Sequence, residues 1–106
     1  MAKTRLMQVV AARLPKDVAR EIERIAAEEK LDKSAVVARA TDLFIRHWKL
    51  ERALKLYEDG KITTQKAADV AALSIWEFIE ELERRRIPVR YSAGEFVEDF
   101  EAAQKG

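Results

Sequence analysis

The sequence predicts a mainly α fold in two modules: a short strand with two helices, then a helical, helix-turn-helix-like second half. Three observations carry this. The 106 residues include only 3 Gly and 2 Pro, too little turn material for a β-sandwich or barrel. From residue 16 onward apolar residues recur at three- and four-residue spacing. Helix-start signals stand at Asp32, Thr63, Ser74 and Ser92. A single strand leaves both its edges unpaired, so the first module is expected as an intertwined dimer.

In chain order, residues 5–14 alternate. Leu6, Gln8, Val10, Ala12 and Leu14 fall on one face; Arg5, Met7, Val9, Ala11 and Arg13 fall on the other. Pro15 ends this strand and is well placed to open a helix. Val18, Ile22, Ile25 and Ala26 mark that helix over about 16–30. Asp32 caps the next, which has no breaker before Asp59-Gly60 and carries Val36, Val37, Ala40, Leu43, Phe44, His47, Trp48, Leu54 and Tyr57 as a broad apolar stripe. A bend near His47 to Lys49 stays open. Thr63 or Thr64 opens a short third helix around Ala67, Ala68, Val70 and Ala71. Ser74 with Glu77 forms a capping box for a fourth, with Ile75, Phe78, Ile79 and Leu82 inside. Ile87–Tyr91 reads as extended, and Ser92 with Glu95 opens a terminal helix to about Ala103.

Composition excludes several functions. There is no Cys, so disulfides, thiol catalysis and Cys-based zinc sites are out, and one His cannot build a histidine metal cluster. Neither a Ser-His-Asp arrangement nor a Gly-rich phosphate loop is present. No enzyme, cofactor or metal is expected. With no apolar run long enough for a bilayer and no signal peptide, the expected compartment is the cytoplasm, without membrane contact. His47, Trp48 and Trp76 are expected as packing residues.

Total charge is nearly balanced, 20 Lys/Arg against 19 Asp/Glu. The halves differ: residues 1–50 carry 11 basic against 7 acidic, residues 51–106 carry 9 against 12. Lys3, Arg5, Arg13 and Lys16 precede any acid. A basic end of this kind suits a polyanion; an ordinary solvated surface is the alternative.

Strand, Arg13-Leu14-Pro15, amphipathic helix, Asp32-Lys33-Ser34 and a second amphipathic helix resemble the ribbon-helix-helix family of prokaryotic repressors and antitoxins over about residues 5–48. The resemblance implies a homodimer, or a higher even-numbered assembly, bound to double-stranded operator DNA. It implies base reading by Val9, Ala11 and Arg13, with Arg5 on the same exposed face, and a phosphate at Lys33 and Ser34. The last point agrees with the anion preference of helix N-termini. Val9 and Ala11 offer only apolar contact to a base, so weak, shape-dependent specificity, affinity supplied more by basic residues outside the ribbon, and a module that only dimerises are the alternatives.

Leu54, Tyr57, Gly60, Ile62 and Thr63, then Ala67, Ala68, Ala71, Ser74, Phe78 and Ile87-Pro88-Val89 with Tyr91, are similar to a small prokaryotic antitoxin-like family. The match runs over about residues 50–102. That resemblance implies a PIN-domain-like ribonuclease toxin as partner. PIN-type ribonucleases hold metal ions on clustered carboxylates, and guanidinium groups pair with carboxylates in fork geometry. Arg84, Arg85, Arg86 and Arg90, with Tyr91 on the extended segment, are the candidate contacts. The alternative is that Arg84–Arg86 simply suit a helix C-terminus and Tyr91 fills the chain's own core. The carboxylates Glu77, Glu80, Glu81 and Glu83 argue against insertion of the fourth helix into a DNA groove.

The expectation is therefore an antitoxin-type DNA-binding transcriptional regulator that autoregulates its operon. Residues 1–49 would dimerise and bind DNA, and residues 50–106 would hold the toxin. A stand-alone ribbon-helix-helix repressor and a dimeric adaptor without DNA contact are the alternatives.

Overall fold

The computed structural model describes residues 5–90, and its regular structure is four helices: α1 (Lys16–Glu29), α2 (Lys33–Glu58), α3 (Thr64–Ala71) and α4 (Ile75–Arg84). The terminal helix expected from Ser92 lies outside the described residues. No helix among the described residues is long and apolar enough to cross a membrane.

The expected strand is absent. Residues 5–15 have no regular secondary structure. Leu6 and Val10, expected inward, are 96% and 83% exposed; Met7 and Val9, expected outward, are both 94% exposed. The ribbon-helix-helix arrangement is thus not the fold of the described chain, and the intertwined dimer built on its strand goes with it. The reason is physical. Alternation marks a chain that could lie on a sheet, but a strand is held by hydrogen bonds to a neighbour. No second strand exists among the described residues.

The described chain divides between Arg39 and Ala40 into two compact units. In the first, α1 follows Pro15, whose carbonyl accepts from Ala19 N–H at 3.0 Å. It ends where Lys30 turns left-handed (φ 55°) and Leu31 N–H returns to Ala26 O at 2.9 Å. Asp32 then caps α2, its Oδ1 accepting from Ala35 N–H at 2.8 Å. Only Ala26 and Val36 are buried in this unit among the described residues.

The second unit holds a real core. Helix α2 runs unbroken to Glu58 and contributes Ala53, Leu54 and Tyr57. Gly60 (φ 73°) closes it, donating to Tyr57 O at 3.0 Å. Thr63 caps α3 by accepting from Lys66 N–H at 3.0 Å. Helix α3 buries Thr64, Ala67, Ala68 and Ala71, and its small side chains allow α4 to pack closely with Phe78 and Leu82. Ser74 and Glu77 form the capping box of α4. The Tyr57 and Phe78 rings meet edge to face, centroids 5.7 Å apart, a geometry favoured by the ring quadrupoles. Ile87 and Val89 pack against this core from the segment after α4.

Candidate nucleic-acid and partner interfaces

In the first unit, Arg5, Val9, Ala11 and Arg13 are all exposed on the irregular segment before α1. They are not aligned on one face, since no pleat orders them. Ser34 is exposed in the first turn of α2. Lys33 lies 3.6 Å from Glu23, an exposed pair. The phosphate site expected at Lys33 and Ser34 faces a competitor: the Asp32 carboxylate already accepts from Ala35 N–H and puts a negative charge at that helix end.

In the second unit the four arginines have four different environments. Arg84 pairs with Glu81 within α4. Arg85 bridges elements, reaching Glu51 of α2 at 2.7 Å and Glu81 at 3.5 Å. Arg90 is held by its own chain. Its backbone N–H donates to the Tyr57 hydroxyl at 2.7 Å, and its guanidinium donates to the carbonyls of Tyr57 and Ile62. The same guanidinium sits 4.0 Å from the Tyr57 ring centroid, a cation–π contact. The hydroxyl also accepts from Thr64 Oγ1 at 3.1 Å. Tyr57 thereby meets the hydrogen-bonding need of a buried phenol, and Arg90 fixes the end of the 87–90 segment on the core.

Arg86 differs. It stands at φ 59° just past α4, is exposed, and makes no ion pair among the described residues. Ile87 N–H returns to Leu82 O at 2.8 Å and Arg86 N–H to Glu83 O at 3.1 Å, the two bonds of a Schellman end. These hold the Arg86 backbone and leave its guanidinium to solvent. Of the arginine cluster, then, one member is offered outward and three are engaged within the chain. Tyr91 lies outside the described residues.

Sequence reasoning missed two features. The clasp of Arg90 on Tyr57 and Ile62 spans 33 residues between Arg90 and Tyr57, and nothing local marks it. The tryptophans and His47 are not packed inside: Trp48 is 52% and Trp76 69% exposed, and the His47 side chain is in solvent, its Nε2 3.9 Å from Glu51. Arg52 lies over Trp48, 5.5 Å from the ring centroid.

Comparison with known proteins places these features in a family. A protein of Aeropyrum pernix described as a UPF0175 protein is 46% identical over 57 residues, 54% of this chain and 64% of the relative. One of Archaeoglobus fulgidus, described in the same words, is 34% identical over 82 residues, 77% of this chain and 79% of the relative. The chain thus spans under two thirds of the first relative's length. No solved structure matches. The matched family region, residues 37–105, takes in most of α2, all of α3 and α4, and the Arg90 clasp; the chain belongs to UPF0175, an uncharacterised protein family.

Proposed function

We propose that this protein is an antitoxin-type regulator, with DNA bound by its basic N-terminal segment and a PIN-domain-like ribonuclease toxin held by its second unit. The observation that carries the reading is the segregation of exposed charge. Residues 5–16 present Arg5, Arg13 and Lys16 to solvent with no acidic residue among them. Acidic residues dominate after residue 50. A basic segment needs no regular structure to neutralise phosphates, since the phosphate term depends on charge and counterion release rather than on pleat. In the second unit, Arg86 is the available group for a carboxylate site on a partner, its fork-shaped guanidinium suited to two acceptor oxygens. The resemblance of residues 50–102 to an antitoxin-like family supports a toxin as that partner, and binding at its own operator gives autoregulation.

The test has two arms. In a gel shift on the upstream region of its own gene, the Arg5→Ala/Arg13→Ala double variant should bind more weakly. Its log–log salt slope should be shallower by about 2, one unit for each phosphate that is no longer neutralised. An unchanged slope removes the N-terminal segment from DNA binding. In co-expression with the adjacent gene product, the full chain should retain the toxin on a column and Arg86→Glu should release it. Equal retention by both removes Arg86 from the partner contact.

A further inference from the structure

Within the second unit, helix α2 turns one face to the core and leaves the other uncovered among the described residues. Leu54 and Tyr57 lie inside. Ile45 and Trp48 precede them by nine residues each, about two and a half turns at 3.6 residues per turn, and so stand on the opposite side. With Phe44 they form an outer apolar patch, 45%, 52% and 65% exposed. Toward the C-terminal end of the helix the same face turns basic, through the exposed Lys49, Arg52 and Lys55. None of these three makes an ion pair among the described residues. Arg52 instead lies over the Trp48 ring. An apolar patch that runs into unpaired cations suits an occupant that is both apolar and acidic.

We infer that this face is covered by the chain's own residues 91–106, folded back along α2 from the Arg90 clasp. Composition is the first argument. Residues 91–106 carry Glu95, Glu98, Asp99 and Glu101 against Lys105 alone. At helical spacing Phe96, Val97 and Phe100 fall in one stripe, and Asp99 and Glu101 border it on either side. The segment thus matches the outer face of α2 in both respects: aromatic groups for Phe44, Ile45 and Trp48, and carboxylates for the unpaired cations.

Reach is the second argument. The clasp fixes Arg90 beside Tyr57, at the C-terminal end of α2. Trp48 lies about 13.5 Å back along the axis and a helix diameter of about 10 Å across, a path of roughly 17 Å. Two extended residues followed by a helix from 93 to 103 span roughly 23 Å, enough to carry Phe100 to Trp48. The segment then runs antiparallel to α2. Both parts also lie in the family region, which begins at residue 37 and extends to 105.

Trp48 itself reports the contact. In full-length Trp76→Phe, which leaves Trp48 as the one tryptophan, its fluorescence should be that of a covered ring. Adding Phe96→Asp/Phe100→Asp should shift emission to the red and raise acrylamide quenching about threefold, as the ring returns to water. Lys49→Glu/Lys55→Glu should move both signals the same way, and Asp99→Lys/Glu101→Lys added to that pair should reverse the change. Circular dichroism checks that each variant stays folded; should Phe96→Asp/Phe100→Asp not, the charge series decides alone. Emission and quenching that ignore Phe96→Asp/Phe100→Asp overturn the inference and leave the face for a different protein. A charge effect that the second pair does not reverse overturns it as well. So does quenching that rises on dilution, which assigns the cover to a second copy of the chain.

Discussion

Three of the four helix ends use a residue other than glycine where the chain turns left-handed: Lys30, Ala72 and Arg86, at φ 55°, 59° and 59°. Each is followed by a backbone N–H returning to the last turn, from Leu31 to Ala26, Leu73 to Ala68 and Ile87 to Leu82. An L-residue held left-handed costs roughly 1–2 kcal/mol, while glycine gives back about 0.5–1 kcal/mol of that through its freer unfolded chain. Ala72→Gly should therefore stabilise the protein by up to about 1 kcal/mol. Urea unfolding would read this as a higher midpoint at unchanged slope. Gly60→Ala is the converse. A Cβ there meets nothing within 4 Å, so its cost is backbone strain alone, about 1 kcal/mol. Equal midpoints for Ala72→Gly and wild type would show that the turns, not the residues in them, set these helix ends.

At the scale of elements, polar caps were readable and the strand was not. Asp32, Thr63 and Ser74 each accept the backbone N–H three residues on, because a cap is a contact between near neighbours and leaves its mark locally. The segment 5–14 carries a strand's alternation but not the partner that would make it one. Likewise the clasp of Arg90 on Tyr57 joins residues distant in sequence, and the exposure of Trp48 follows from which face of α2 the other helices cover. In the α4 box, Ser74 N–H donates to Glu77 Oε1 at 2.9 Å and Glu77 N–H to Ser74 Oγ at 3.1 Å. The Ser74 backbone N–H, and next the Ser74 side chain, hold the Glu77 carboxyl below its usual value; slight desolvation opposes them. A carboxylate with a lowered folded value adds stability above its ordinary range, and loses it as pH falls through the folded value. Glu77→Gln keeps an acceptor without the charge. The stability gap between wild type and this variant should shrink as melts are taken from neutral pH down through the glutamate range. A gap that stays constant with pH would mean the box acts by geometry alone.

For the whole molecule, the two compact units differ in what holds them. The second buries Tyr57, Phe78, Leu82 and Thr64 almost completely, with the alanines of α3 between them. The first buries only Ala26 and Val36 among the described residues, and leaves Val18, Ile25 and Leu31 about 40% exposed. Apolar area removed from water is the main favourable term in folding, so local opening should be much cheaper in α1 than in α3 or α4. Native-state hydrogen exchange at dilute concentration should show α1 amides exchanging through low-energy openings. Amides of α4 around Phe78 and Leu82 should exchange only with unfolding of their unit. Leu82→Ala should lower the protection of those α4 amides by about 2–5 kcal/mol, the usual cost of emptying a fully buried leucine site, while α1 amides, already limited by local opening, change little. If α1 amides in the dilute wild type proved as protected as those of α4, the stability of the first unit would have a source other than the contacts it makes within this chain.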